Sequence, residues 1–326
     1  MLTKVFNNTH PITILLLFLF LVLVSASSFY GYFNIESFHN EFLVQNHYPN
    51  LGDVIPVVLS LFFVVSLGVL VNYIVHENSI TGDNSFALLF FVLLISSFPG
   101  IVIFNPILAS TFFVVLALKN LLSLHVHKKM TIKLFNAGFL IGIAAVIYPY
   151  SILYGILIYL GIIIYGADNW RQWFLPIVGI LIPFYLLFTG YFWFDNLGEY
   201  WDRFFIHSFR YRENDFYGSK NVMIVLGIYL LITIFAIFDY SSNMRLHKLD
   251  TRKSYAMTYL GLFIGVIIAM FGTITNGQEL IILFLPISAI WAKFIQHKKK
   301  PIWRNVFMGL IIIIIIVSYI TSFNIT

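Results

Sequence analysis

Charged residues are scarce in this sequence, and cysteine is absent altogether. Only 10% of the 326 residues are Asp, Glu, Lys or Arg, whereas 60% are hydrophobic. Soluble domains carry about 25% charged residues, so this chain has too little polar surface to be covered by water. The absence of cysteine excludes disulfides, zinc ribbons, iron–sulfur clusters, haem–thiolate ligation and a cysteine nucleophile.

The sequence contains long uncharged runs, whereas the same length of a soluble protein would include polar surface residues. Residues 12–25 and 306–320 contain no charged residue and show no polar face. A helix that spans a bilayer needs about 20 apolar residues, and such runs recur along the chain. The ten-residue alternation of a membrane β-barrel is absent. The sequence therefore predicts an all-α fold, a polytopic transmembrane helical bundle with 10 or 11 spans.

The apolar runs divide the chain into eleven predicted spans. The short ones, near Pro99, Pro106 and Pro149, are either half-helices that enter the membrane part way or deeply buried helices. Residues 1–326 are predicted to form one transmembrane domain without a soluble domain, and the longest polar segments are the outer loops 33–53 and 195–220. The spans lie near residues 11–32, 54–75, 85–100, 105–122, 134–149, 150–166, 173–194, 221–239, 256–273, 279–293 and 305–323.

Positive charge is distributed unevenly between the two sets of alternate loops. Fifteen of the 19 Lys and Arg residues fall in one set, and the other four all lie in the loop 195–220. Because Lys and Arg accumulate on the cytoplasmic side, we predict a bacterial inner-membrane protein with a cytoplasmic N-terminus and a periplasmic or external C-terminus. The net charge of +5 then reflects topology rather than nucleic-acid binding. Ser25-Ala26-Ser27 leaves cleavage of the first span as an alternative.

The first outer loop, residues 33–53, is acidic and contains no Lys or Arg. Glu36 and Glu41 are the candidate catalytic residues, because a carboxylate can deprotonate an acceptor hydroxyl as a general base. The alternative is an acidic outer loop that simply follows from the topology rule. We expect no metal site and no cofactor, although carboxylates here could also hold a divalent cation.

The second long outer loop, residues 195–220, contains basic residues, although the other loops on that side of the membrane contain none. Arg203, Arg210 and Arg212 are the candidate phosphate-binding residues, because the guanidinium group grips phosphate through two parallel hydrogen bonds. The alternative is internal ion pairing, since five acidic residues accompany these bases in the same loop.

Small residues mark the middle of the chain. A helix rich in Gly and Ala leads to a short outer turn and then to a return span. This pattern resembles the middle of GT-C type polyprenyl-phosphate-sugar glycosyltransferases, and the resemblance extends over about residues 1–200. The residues that carry it are Ala137, Gly138, Gly142, Ala144 and Ala145, the turn Tyr148-Pro149-Tyr150, and the span that ends at Phe194.

The GT-C resemblance implies a fold, a donor and a catalytic group. It implies a GT-C-like helix arrangement, a polyprenyl-phosphate-linked sugar as the donor, and a catalytic carboxylate in the first outer loop, where Glu36 and Glu41 lie. The family usually carries an acidic pair directly after its first span, within an Asp-containing motif. This chain departs from that pattern, since its acids are two glutamates without such a motif.

The whole chain is also similar to a family of uncharacterised bacterial polytopic inner-membrane proteins. The segments 77–85 and 96–99 carry this second resemblance. Members are sometimes labelled carotene oxygenases, but an oxygenase needs several His side chains that converge on iron. Nearly all nine His residues here lie in loops on both sides of the membrane, so the label does not fit.

The sequence leaves two classes of function open. The first is a GT-C-like glycosyltransferase or an accessory factor of envelope glycan assembly, with membrane lipids and a polyprenyl-phosphate sugar as partners. The second is a non-enzymatic subunit or scaffold of a membrane protein complex, so whether the chain is an enzyme stays open. A transporter or flippase is less favoured, because no charged residue lies in the middle of a span.

Overall fold

The computed structural model describes residues 6, 11–34, 51–82, 84–102, 104–125, 129–166, 169–198, 220–243, 248–272, 277–298 and 301–323. Within these ranges the chain forms α-helices and short 3-10 turns, and no strand, which confirms the all-α prediction. The helices are α1 (Pro11–Asn34), α2 (Leu51–Glu77), α3 (Phe86–Ser97), α4 (Pro106–Leu122), α5 (Met130–Ile147), α6 (Tyr154–Tyr165), α7 (Trp170–Trp193), α8 (Lys220–Asn243), α9 (Leu249–Phe271), α10 (Leu280–His297) and α11 (Pro301–Phe323).

Each of these helices overlaps one of the predicted spans. By length and composition, six are able to cross a membrane, and the remaining apolar helices are shorter over their described side chains. The chain is therefore a multi-pass membrane helical bundle. The six long segments are Ile55–Glu77, Met130–Ile147, Trp170–Trp193, Val222–Ser242, Leu249–Phe271 and Leu280–His297.

Helices α3 and α10 occupy the centre of the bundle. All 12 residues of α3 are buried, and α10 is buried along most of its length. A helix that is apolar around its whole circumference is enclosed by other helices, and α3 contacts α1, α2, α10 and α11. Because every residue of α3 is buried, it is a deeply buried helix. At about 18 Å it is also too short to cross the hydrocarbon core alone.

Helices α5 and α7 pack so closely that the glycine positions between them leave no room for a side chain. A Cβ atom added to Gly138 would lie 2.4 Å from the carbonyl oxygen of Pro176, and one added to Gly142 would lie 2.6 Å from that of Ile180. Gly179 makes the reciprocal approach to the backbone of α5. Small residues permit this close approach between membrane helices. The glycine pattern that resembles GT-C enzymes in the sequence thus forms a helix-packing seam in the structure.

Polar side chains link α3, α8 and α10 inside the bundle. The hydroxyl groups of Ser97 and Tyr229 are 2.5 Å apart, and both side chains are buried. The indole N–H of Trp291 donates to the hydroxyl oxygen of Thr233 over 3.0 Å. Hydrogen bonds of this kind hold helices together where lipid provides no hydrophobic drive.

The connections that carry most of the basic residues meet at one end of the bundle, which we call the basic end. It contains the C-terminal ends of α2, α4, α6, α8 and α10, together with the starts of the helices that follow them. The C-terminal ends of α1 and α7 and the starts of α2 and α8 lie at the opposite end. The contacts that define the basic end are Tyr255 to Ile80, Tyr165 to Leu122, and Lys298 to Asp239.

Candidate functional site

The five residues that the sequence nominates for chemistry lie outside the described residues. Their catalytic and phosphate-binding roles therefore stay predictions. In the sequence, the segments that contain them lie between α1 and α2 and between α7 and α8. These residues are Glu36, Glu41, Arg203, Arg210 and Arg212.

A groove of about 500 Å³ opens between α1 and α2 near the basic end. One wall is apolar and comes from Ile14 and Phe18 of α1. The other wall belongs to α2, whose lining residues recur every three or four positions and so share one face of the helix. That wall becomes polar towards the end of α2, in the order Val69, Asn72, Tyr73, His76 and Glu77.

Charged groups of both signs surround the polar part of this groove. The hydroxyl group of Tyr73 interacts with the Glu77 carboxylate one turn later. From α4, the Lys119 ammonium lies 4.5 Å from the centroid of the Tyr73 ring. From α5, Lys133 interacts electrostatically with Glu77 and donates to the carbonyl oxygen of Ser123 over 2.6 Å. The groove therefore offers a carboxylate, with two ammonium groups nearby, at the C-terminal end of α2.

Residues 42–325 match the profile of a family of unknown function, DUF6427. The chain belongs to this family. The match extends over nearly the whole bundle and includes α2, which forms the polar wall of the groove. The description of DUF6427 names no activity, so neither glycosyl transfer nor carotene oxygenation gains support from it. No curated protein and no solved structure matches the chain.

The DUF6427 chain has a second polar cluster at the basic end, where α8, α9 and α10 meet. The rings of Tyr240 and Tyr255 stack with their centroids 3.9 Å apart, and Tyr259 lies 5.9 Å from Tyr255. At the edge of this cluster Lys298 and Asp239 form an ion pair of 2.7 Å. The sequence predicted only that Lys298 belongs to a basic inner loop, because the aromatic cluster depends on contacts between helices distant in the chain.

One acidic residue of the DUF6427 bundle lies deep inside it at the opposite end. Glu279, at the start of α10, is completely buried, and Gln278 beside it is 4% exposed. The carboxylate lies against Gly272, where an added Cβ would be 2.7 Å from Oε1. Although Glu279 lies at the boundary of a predicted span, the structure packs it in the protein interior.

Two helix-end motifs in this DUF6427 chain behave differently from each other. Asn105 caps α4, since its side-chain oxygen accepts a hydrogen bond of 2.7 Å from the N–H of Leu108, as turn chemistry predicts. His76 and Glu77 are the last residues of α2, and they line the groove. Among the described residues, no group of three or more acidic, His or Cys side chains is arranged to hold a metal ion.

Proposed function

We propose that this protein binds a membrane lipid, with the headgroup in the groove between α1 and α2. The observation that carries this proposal is the order of side chains along the groove. The lining changes from apolar residues to Asn72, Tyr73, His76 and Glu77 as α2 approaches the membrane boundary. A lipid changes from tail to headgroup in the same direction, so its two parts meet matching surroundings.

The charges beside the groove favour a lipid that carries a phosphate group. Lys119 and Lys133 supply ammonium donors near the polar wall, and charge-assisted hydrogen bonds to phosphate are about twice as strong as neutral ones. Asn72 and Glu77 supply polar and acidic groups that suit the hydroxyls of a sugar or an amine. A polyprenyl-phosphate-linked sugar combines these features with an apolar chain, and it is the lipid that we propose.

A bulky substitution inside the groove tests lipid binding. Ile14 lines the groove, whereas Ile12 on the same helix is 73% exposed and lies outside it. We expect Ile14→Trp to remove most of the lipid that copurifies in mild detergent, and Ile12→Trp to leave it unchanged. Native mass spectrometry of the purified protein measures the fraction with bound lipid. Equal lipid occupancy in both variants would contradict the proposal.

The ammonium beside the groove tests the phosphate part of the proposal. Replacing Lys119 by Met removes one charge-assisted hydrogen bond and should weaken lipid affinity about tenfold or more. Lys298→Met is the matched control, since that lysine lies at the other cluster and pairs with Asp239. Titration with a phosphate-bearing lipid and with a lipid that lacks phosphate measures the difference.

Glycosyl transfer is the second candidate function, and the basic residues of the second outer loop favour it. In this proposal Glu36 or Glu41 activates the acceptor hydroxyl as general base. Arg203, Arg210 and Arg212 hold the phosphate leaving group, where negative charge develops as the sugar departs. The two proposals rest on different residues, so one can fail without the other.

Two conservative substitutions test glycosyl transfer. We expect Glu36→Gln or Glu41→Gln to abolish transfer from a lipid-linked sugar in isolated membranes, at unchanged protein abundance. If both variants keep full activity, the mechanism is wrong. A stoichiometric protein partner without bound lipid phosphate, found after mild extraction, would instead identify a scaffold subunit of a larger complex.

We also propose that the basic end faces the cytoplasm of a bacterial inner membrane. The support is the accumulation of Lys and Arg in the connections at that end. Because α11 starts at the basic end, the C-terminus then lies on the periplasmic side. A C-terminal reporter that is active only in the cytoplasm would reverse this orientation.

A further inference from the structure

Lys293 is a buried cation in the last two turns of α10. Only 9% of the residue is exposed, and its ammonium lies 5.9 Å from the centroid of the Tyr255 ring. Among the described residues, no carboxylate and no hydrogen-bond acceptor contacts this ammonium. Buried charges in proteins are normally paired, so Lys293 differs from the paired Lys298 nearby.

The surroundings of Lys293 do not cancel its charge. His297 lies one turn further along α10 and interacts electrostatically with Lys293, Lys298 and Asp239. Asp239, the acidic residue in this group, is already bonded to Lys298 over 2.7 Å. The cluster therefore has more positive than negative charge, and an added anion would balance it.

The aromatic side chains beside Lys293 are held firmly in place. Tyr255 stacks on Tyr240 and donates its hydroxyl hydrogen to the carbonyl oxygen of Ile80 over 3.1 Å. This fixes the ring face that Lys293 approaches. In the same cluster the hydroxyl oxygen of Tyr259 is buried and has no hydrogen-bond partner among the described residues. Lys293 thus lies beside a packed tyrosine cluster that also contains a hydroxyl group without a hydrogen-bond partner among the described residues.

We propose that Lys293 is the centre of a phosphate-binding site at the basic end of the bundle. A phosphate group supplies the missing negative charge, and its oxygens accept hydrogen bonds from the ammonium and from the imidazole of His297. The site is formed by α8, α9 and α10, so it is separate from the groove between α1 and α2 and does not depend on the function proposed for that groove. The phosphate belongs either to a lipid headgroup or to a soluble phosphate compound.

Ligand titrations on the full-length protein in micelles of a maltoside detergent, which contains no phosphate, test this site and separate the two sources of phosphate. One arm titrates inorganic phosphate into these micelles, and the other adds phosphatidic acid to them. The readout is the thermal unfolding midpoint. We expect at least one arm to raise the midpoint of the wild-type protein in a concentration-dependent way, and the arm that does so identifies the source.

Three variants decide whether Lys293 carries the effect. Lys293→Met should weaken phosphate affinity about tenfold or more, with Lys293→Gln measured in its place if the Met variant does not fold. Lys293→Arg should keep most of the affinity. Lys298→Met removes the same charge from a paired lysine, so it should change affinity much less.

Two outcomes overturn the proposal. The first is an unfolding midpoint that phosphate raises equally in the wild type and in Lys293→Met, or in neither. The second concerns Asp83, which follows Gly82, a residue that lies against Gln296 of α10. If the exchanged pair Lys293→Asp with Asp83→Lys restores the stability that each single substitution removes, Asp83 is the counter-ion and no phosphate is needed.

Discussion

The seam between α5 and α7 and the core around α3 are two different solutions to packing helices in lipid. Helix α7 buries only Pro176, Gly179 and Pro183 among its described side chains, and it touches α5 along a line of glycines. Helix α3 is buried at every residue and is joined to its neighbours by side chains. The contact between α5 and α7 depends on the absence of side chains at its glycines, whereas the contacts of α3 depend on its side chains.

The difference between these two kinds of contact arises because the solvent around the helices is lipid rather than water. Lipid chains are as apolar as leucine, so apolar burial between membrane helices gives little net stabilisation, and close packing and hydrogen bonds provide the rest. We therefore expect the seam to be sensitive to any added atom. The core should instead be sensitive to the loss of a polar partner.

The largest effect should come from adding a methyl group to the seam. In Gly138→Ala the new Cβ meets the backbone of Pro176, which cannot turn away as a side chain can. We expect a loss of about 2–3 kcal/mol in the free energy of unfolding, measured by thermal unfolding in detergent. Gly190→Ala on α7 is the control, because nothing lies within 4 Å of its added Cβ. Equal effects at both positions would mean that α5 and α7 do not touch as described.

A smaller effect should follow from removing one hydrogen-bond acceptor in the core. Thr233→Val keeps the side-chain volume but leaves the indole N–H of Trp291 without its partner. We expect a loss of about 1 kcal/mol. Thr189→Val on α7 is the matched control, since that hydroxyl bonds only to the carbonyl oxygen of Tyr185 on its own helix. If both substitutions cost the same, the link from α8 to α10 contributes nothing.

The smallest effect should come from the ion pair at the basic end. The side chains of Asp239 and Lys298 are 20% and 30% exposed, so water weakens their attraction. We expect Asp239→Asn to cost about 0.5 kcal/mol, and less at high salt, where the charges are screened. A double-mutant cycle with Lys298→Met at low and high salt measures the pair itself. A coupling energy that grows with salt would rule out a simple ion pair.

The helical architecture could be predicted from the sequence because each apolar run ends at a clear change of composition. Several boundaries differ, the most at α9, which begins at Leu249 rather than near 256. Two of the others share a reason. Helix α5 begins at Met130 and α10 ends at His297, whereas the predicted spans begin at 134 and end at 293. Lys133 and Lys293 lie inside these helices, since the long stem of a lysine can pack against apolar surface. A charge therefore does not mark the end of a helix.

The groove could not be predicted in the same way, because it depends on which helices are neighbours. The sequence shows that His76 and Glu77 end α2, but not that Ile14 and Phe18 lie opposite them. It also cannot show that Lys119 and Lys133 approach from α4 and α5. The five nominated residues of the outer loops stay predictions, while the glycine pattern of α5 finds a structural explanation in its packing against α7.

The short connection after α2 has a consequence for how the chain is made. Asn78, Ile80 and Thr81 are buried although they lie between helices, and the carbonyl oxygen of Ile80 is bonded to Tyr255, 175 positions later. A ribosome delivers the first hairpin to the membrane long before α9 exists. Until α9 has been synthesised, the connection after α2 lacks its hydrogen bond from Tyr255. A truncated chain that stops before α9 should therefore remain a substrate for membrane proteases.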